Sequence, residues 1–276
     1  DFEKSYHKNY NLSAKRKERL FRILNLSYKE KVKGDELDLI ILPEISVPPA
    51  WLPLLSDYSR RHQKAIVCGL EHFVSFKNTA YNLIVTILPF MIDNYKYSIV
   101  KARIKNHYSP AEKKKLIGNN LNLPNQQYWH YDKFIWRDVH FACYNCYELA
   151  DIAHRSIFKS EVDLLIASVY NKDVNYFSNI VESVSRDVHC YFIQVNSSNY
   201  GDTRITQPSK TAIKDIMRFK GGENPAILVT SIDISKLRDF QFKQHNLQEY
   251  NKEEFKYTPP DFNKINVKKR MIDFNN

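Results

Sequence analysis

Three residues that could together acylate and deacylate a thiol follow one another along this chain. Glu44 closes the apolar run Leu39-Ile40-Ile41-Leu42-Pro43, Lys105 follows the alternating stretch Tyr97 to Ile104, and Cys146 ends the run that starts at Phe134. A thiol is a strong nucleophile only as thiolate, so Cys146 needs a base or a positive charge beside it. A carboxylate just past a buried strand stands where α/β proteins commonly build their sites, and partial desolvation there raises its pKa toward the working range of a general base. Lys105 would serve as a fixed cation next to a developing oxyanion. Glu112 is a second carboxylate able to orient Lys105, and Tyr147 and Glu148 flank the thiol as supporting residues.

Each of these residues also has a plainer reading. Cys146 alone would be a small buried core residue, Glu44 a solvated loop residue, Lys105 one lysine among many, and Glu112 a surface residue ahead of Lys113. Cys143 competes for the nucleophile's role. Together Cys143 and Cys146 form a Cys-x-x-Cys, the spacing of redox pairs and of half a zinc site, but no second such pair exists in the sequence.

The elements that must position these groups alternate along the chain. Ser13 caps a helix expected from Ala14 to Lys31, with Leu20, Ile23, Leu24 and Leu26 as its stripe and Gly34 ending it. Strands are expected at Leu37 to Leu42, Lys64 to Gly69, Tyr81 to Leu88 (stopped by Pro89), Tyr97 to Ile104, Phe134 to Cys143, Val162 to Ser168, Cys190 to Val195 and Ala226 to Ile234. Helices are expected at Leu54 to Gln63, Leu149 to Lys159 and Tyr176 to Asp187. A loop with a short helical start covers Pro110 to Gln127, and a polar loop covers Asn196 to Ser209. Strands and helices in one continuous alternation imply an α/β sandwich in a single domain. Residues 1–234 form that domain, and 235–276 a polar tail packing on it or on a partner.

The chain has 276 residues and is 43% hydrophobic, enough for a substantial core. It has no run of about 18 apolar residues, so no membrane span is expected. Four cysteines in apolar surroundings fit reduced thiols in the cytoplasm better than a disulfide framework. The N-terminus lacks both an initiating Met and a signal-peptide core, which suggests a trimmed chain or part of a longer protein. The formal net charge is +10, with basic clusters at Lys15-Arg16-Lys17, Lys113-Lys114-Lys115 and Lys268-Lys269-Arg270. Such clusters suit either phosphate contacts or a solvated surface, and no nucleic-acid-binding motif accompanies them.

Taken jointly, the motifs resemble the nitrilase, or carbon–nitrogen hydrolase, superfamily. The resemblance lies in Pro43-Glu44, in the Lys-x-His-x-x-Pro segment of Lys105, His107 and Pro110 with Glu112 soon after, and in Cys146-Tyr147-Glu148. It extends to Gly69 after the second strand and to Val195-Asn196-Ser197-Ser198, Gly201-Asp202-Thr203 and Pro208, so it runs from about Leu20 to Ile234. It implies an α-β-β-α layered sandwich and a Glu44–Lys105–Cys146 triad acting on a small-molecule amide or nitrile through a thioester. It further implies no metal or organic cofactor and a homo-oligomer. By position, Trp51, His107, Tyr170 and Asn171 are the candidates for lining the substrate pocket. The chain departs from the family at Leu149-Ala150-Asp151-Ile152-Ala153, where many members carry an Arg-Phe-Pro-Glu type run, and an opening strand is not evident in residues 1 to 12. Tyr170-Asn171-Lys172-Asp173 with Gln194-Val195-Asn196-Ser197-Ser198 is similar to the nitrilase-like domains found C-terminal to bacterial defence reverse transcriptases. That similarity implies a second reading: an interaction or oligomerisation module, with or without activity, in a larger nucleic-acid-handling protein.

Overall fold

A computed structural model describes residues 2–6, 11–222, 226–250 and 254–272. It divides into two compact units, Asp1–His130 with Ser168–Tyr170 and Gly222–Ser231, and Tyr131–Ala167 with Asn171–Gly221 and Ile232–Asn276.

In the first unit the helix α1 (Ala14–Lys29) starts where Ser13 accepts the Arg16 N–H. Its expected stripe faces inward through Leu20 and Leu24. Gly34 falls beyond it, at positive φ in the turn of a short ribbon. Strands β1 (Leu39–Ile41), β2 (Ala65–Gly69), β3 (Leu83–Ile92) and β4 (Tyr95–Ile104) form one sheet in that order. β1 and β2 run parallel, joined through α2 (Leu52–His62), and the remaining pairs are antiparallel. Trp51, Leu55, Ile66, Val85 and Ile87 pack with α1 into the unit's apolar core.

The β3–β4 hairpin is longer than expected. Pro89 does not end β3, because pairing with β2 stops at Ile87 and the freed edge needs no N–H from residue 89. The turn is Asp93-Asn94, both at positive φ, as two-residue hairpin loops require. Beyond β4, Pro110–Gly118 forms α3.

The second unit is built on a sheet containing β5 (Lys133–Trp136), β6 (Val139–Asn145), β7 (Leu164–Val169), β8 (Tyr191–Asn196), β9 (Thr203–Thr206) and β10 (Asp215–Phe219), in that order. The stretch expected as one strand from Phe134 to Cys143 is the β5–β6 hairpin, turned at Arg137-Asp138. Leu149 to Lys159 holds only a 3₁₀ turn and α4 (Ile152–Ser156). α5 (Val174–Val184) begins at Asp173, which accepts the Tyr176 N–H.

Two expectations fail here. The supposed loop from Asn196 to Ser209 contains β9, and the supposed strand Ala226 to Ile234 has no strand among its described residues. Apolar runs alone do not make strands where no partner edge is offered. Among the described residues beyond 235, α6 (Ile234–Phe242), α7 (His245–Tyr250) and α8 (Lys264–Ile272) belong to this unit. Asp163, fully buried, ties them down. It accepts from Arg238 at 2.9 and 2.6 Å and from the His140 N–H at 2.9 Å, and it pairs with Arg270.

Candidate active site

Glu44 sits in a loop whose shape is set by its neighbours. β1 ends as the Leu42 N–H donates to Val67 O at 2.8 Å, and Pro43 then breaks the ladder. The Gly69 N–H donates to Pro43 O at 3.2 Å, and Gly69 O accepts from Ser46 and Val47 at 3.0 and 3.2 Å. The Ser46 hydroxyl donates to Pro43 O at 2.6 Å, and Ile45 takes a positive φ of 55°. A Cβ at residue 69 would lie 2.4 Å from Glu44 Cα, so only glycine lets the two backbones approach this closely. Arg16 reaches down from α1, donating to Ser46 O at 2.9 Å and pairing with Glu71.

Lys105 leaves the end of β4, held by its N–H to Asn82 O at 2.8 Å. Its Nζ donates to Glu44 Oε1 at 2.8 Å and to Glu112 Oε2 at 2.6 Å. Glu112 stands in the first turn of α3, where Ser109 caps the helix by accepting the Glu112 N–H and Pro110 takes the first position. Asn82 Nδ2 bridges the two carboxylates, 2.9 Å from Glu44 Oε1 and 2.7 Å from Glu112 Oε1. His72 Nε2 lies 3.1 Å from Glu112 Oε1, and its Nδ1 lies 2.9 Å from Ser5 Oγ. The Tyr108 hydroxyl accepts the Asn82 N–H at 2.7 Å and donates to Ala80 O at 3.1 Å.

Lys105, Glu44 and Glu112 are each no more than 4% exposed, so this is an ion cluster without solvent screening. The environment separates the two carboxylates. Burial pushes Glu44 up, and the charge of Glu112 adds to this against the pull of Lys105 and Asn82. Burial also opposes ionisation of Glu112, but Lys105 and His72 outweigh it and hold the carboxyl down at about 2. One carboxylate is thus pinned in its ionised form while the other is the readier proton acceptor, a division that assigns roles in acid–base sites. Burial lifts the Tyr108 phenol above its ordinary range, so it remains a neutral hydrogen-bonding group.

In the second unit, β6 turns sharply into the 3₁₀ segment Cys146–Ala150. Cys146 occupies the turn with φ of 47°, in the left-handed region that a non-glycine residue enters at a cost. Strand-to-helix turns of this kind present a nucleophile at a strand end. The turn is held by a reciprocal cap: the Asn145 N–H donates to Glu148 Oε2 at 2.7 Å, and the Asn145 side chain accepts the Glu148 N–H. Glu148 is fully buried and Tyr147 half-buried. Cys143, the competing thiol, lies within the regular strand, and Cys146 at the turn beyond it. All four cysteines are free.

Glu44, Lys105 and Glu112 are therefore brought together within the first unit, and Cys146, Tyr147 and Glu148 within the second. Trp51 is core, with the Arg16 guanidinium 5.9 Å over its ring. His107 is half-buried against Trp129, with ring centroids 4.3 Å apart, and Tyr170 is half-buried. Asn171 organises its own loop: its Oδ1 accepts the Asp173 N–H at 3.0 Å, and its N–H donates to Asn196 Oδ1 at 3.0 Å. The sequence reading missed Asn82 and His72. Asn82 lies just before β3 and His72 just after β2, and nothing in residue type or spacing separates either from an ordinary loop residue.

No protein-family model matches the chain, and no curated protein matches it. Solved structures do. A CN-hydrolase superfamily protein from Xanthomonas campestris, with an arsenic adduct in its active site, matches with a TM-score of 0.58 at 13% identity over 83% of this chain and 88% of its own. Nit3 from Saccharomyces cerevisiae, a member of branch 10 of the nitrilase superfamily, matches with a TM-score of 0.57 at 14% identity over 76% and 83%. An amidase from Nesterenkonia sp. AN1, in a mutant carrying an acetamide moiety added to its active-site cysteine, matches with a TM-score of 0.54 at 12% identity over 75% and 82%. The chain thus has the mixed α/β fold of nitrilase-superfamily structures. No helix among the described residues is long and apolar enough to cross a membrane.

Proposed function

We propose that the protein is an amide-type carbon–nitrogen hydrolase of the nitrilase superfamily, with Cys146 as nucleophile, Glu44 as general base and acid, and Lys105 as oxyanion stabiliser. The observation that carries this reading is the buried Glu44–Lys105–Glu112 cluster, in which one lysine bridges a pinned and a poised carboxylate. The strained turn at Cys146 and the likeness in fold support it.

In this mechanism Glu44 takes the thiol proton as sulfur attacks the carbonyl carbon of a small amide. The oxyanion is met by Lys105 Nζ and the Tyr147 backbone N–H. The C–N bond then breaks, Glu44 gives its proton to the departing amine, and a thioester remains on Cys146. Water, losing a proton to Glu44, attacks the thioester. The acid leaves and the thiol regains its proton. Glu112 holds Lys105 and does not exchange protons. A panel of small aliphatic and aromatic amides, assayed for released ammonia or amine and acid-quenched for a thioester on the Cys146 peptide, tests this. Turnover that survives Cys146→Ala would sink it.

One observation favours the second reading, a binding module in a nucleic-acid-handling protein. The outer end of the β3–β4 hairpin exposes Phe90, Ile92, Tyr95, Tyr97 and Ile99 beside Lys96 and Lys101. Aromatic residues interleaved with lysines suit single-stranded nucleic acid. Binding of an oligonucleotide that weakens steeply with salt and is lost in Tyr95→Ala with Tyr97→Ala would support that reading.

A further inference from the structure

We infer that His72 is a positioning residue for the Lys105–Glu112 pair, working from behind the reacting groups, with Ser5 fixing its ring. The inference rests on the hydrolase reading above. It starts from how Glu112 is held. Oε2 accepts from Lys105, and Oε1 accepts from Asn82 at 2.7 Å and faces His72 Nε2 at 3.1 Å. An ionised carboxylate only accepts, so Nε2 carries the hydrogen in this contact. With a neutral ring, Nδ1 then accepts from the Ser5 hydroxyl, 2.9 Å away. With a protonated ring, Nδ1 donates and the same hydroxyl accepts. Serine can do either, so the imidazole is fixed at both ends in both states.

The consequence reaches the chemistry through two further bonds. Glu112 and Glu44 compete for one ammonium, Lys105 Nζ, at 2.6 and 2.8 Å. If Glu112 loses His72, its carboxylate keeps Asn82 on one oxygen and Lys105 on the other and gains freedom to turn. Lys105 then drifts with it, away from the position that Glu44 and the oxyanion need. Two carboxylates and one ammonium also leave this buried cluster with an excess negative charge, which the dipole of the Nε2–H partly meets. The surroundings keep His72 in place: it is 4% exposed, the Tyr6 ring meets it edge-on at 6.2 Å, and Tyr6 itself packs with Tyr108 and Leu116.

The test uses the full chain and iodoacetamide, with labelling of each cysteine followed by peptide mass. Here the Cys146 sulfur displaces iodide as its proton passes to Glu44. His72→Ala is expected to slow labelling of Cys146 about 10–100-fold, the size of effect a misplacement of about 1 Å produces. His72→Gln places an amide N–H where Nε2–H stood and is expected to recover the rate to within about fivefold. His72→Asn, too short to reach Glu112, is expected to stay slow. Ser5→Ala is expected to have the smallest effect. The rescue is the discriminating readout, because a space-filling role would order the variants by melting temperature and not by reach. A wild-type rate in His72→Ala, or a His72→Gln as slow as the alanine variant, would overturn the inference and leave the hydrolase reading standing. A wild-type protein whose Cys146 labels no faster than Cys68 and Cys190 would overturn both.

Discussion

Gly69→Ala is a single added methyl group that should cost both stability and reactivity. The new Cβ would lie 2.4 Å from Glu44 Cα, 2.9 Å from Ile45 N and 3.0 Å from Glu44 C. An ordinary contact needs 3.4 Å or more, so the Pro43–Ser46 backbone must retreat by roughly 1 Å or β2 must bend. Backbone cannot swing aside like a side-chain tip, and four hydrogen bonds would be strained with it: Gly69 to Pro43, Ser46 and Val47 to Gly69, and Asn82 to Glu44. Overpacking of this kind costs about 1–3 kcal/mol, less the few tenths to about 1 kcal/mol that an alanine gains over glycine through the unfolded chain. That corresponds to a fall in melting temperature of up to about 10 °C. Under the proposed mechanism, a Glu44 carboxylate displaced by about 1 Å should lose on the order of a hundredfold in reactivity at Cys146. Gly118→Ala is the matched control. It makes the same chemical change at the end of α3, where a Cβ meets nothing within 4 Å, and it should be neutral or stabilising. Melting curves and iodoacetamide labelling of both variants are the assay. A Gly69→Ala protein with wild-type melting and wild-type labelling would refute the claim that close approach at Gly69 sets the position of Glu44.

Glu44 has its pKa raised by burial, so its contribution to stability is fully present below its ordinary value and is lost as pH rises through the folded value; Glu44→Gln should therefore melt above wild type at pH 8, with the gap closing by pH 4. Glu112 runs the other way. Its folded pKa of about 2 lies below the ordinary 4.5, so its contribution is present above about pH 4.5 and lost as pH falls toward 2, and Glu112→Gln should flatten that acid limb of a melting-temperature profile. Asp163→Asn leaves Arg238 and Arg270 buried against a neutral amide, which should cost about 3–5 kcal/mol. Limited proteolysis should then cut first within residues 235–272, and a variant cleaved at the wild-type rate would show that α6 and α8 are held by other contacts.

The parts of the fold that were legible are those where local chemistry and tertiary need agree. Ser13 caps α1 as its residue type suggests, and the buried runs at β1, β2, β7 and β8 are strands. Misreadings arise where the partner decides. Pro89 reads as a breaker, yet it lies in β3 because the neighbouring strand has already ended there. Thr203 to Thr206 reads as loop among polar residues, yet β8 offers it an edge, with Ile205 set opposite Ile193. The segment from residue 235 reads as a polar tail packing on the domain or on a partner; its helices give no local signal, because their inward-facing groups include two arginines, and arginine on a helix normally signals solvent. Here they face Asp163, a carboxylate supplied from far along the chain, and no local pattern announces that partner.

The candidate site divides along the same line. Glu44, Lys105 and Cys146 could be named as candidates because Glu44 and Cys146 end apolar runs and Lys105 ends an alternating strand, and a polar group closing such a run invites a functional reading. Arg16 was misleading for the opposite reason. It belongs to a run of surface cations, yet its guanidinium bonds Ser46 O and pairs with Glu71, so one member of an apparent basic patch is a strut for the Glu44 loop. His72 and Asn82 were invisible because their significance lies wholly in what they touch. Asn82 is the sharper case. Its side chain donates to both carboxylates, its N–H donates to Tyr108, and its carbonyl accepts from Lys105, so one loop asparagine spaces the cluster that would move the proton. Replacing it with aspartate would keep the shape and put a third carboxylate beside Glu44 and Glu112, which Lys105 bridges. The division between a pinned and a poised carboxylate would then collapse, because no single ammonium can hold two negative neighbours down while leaving a third ready to take a proton. That division depends on a neutral donor at residue 82 as much as on the charged groups around it.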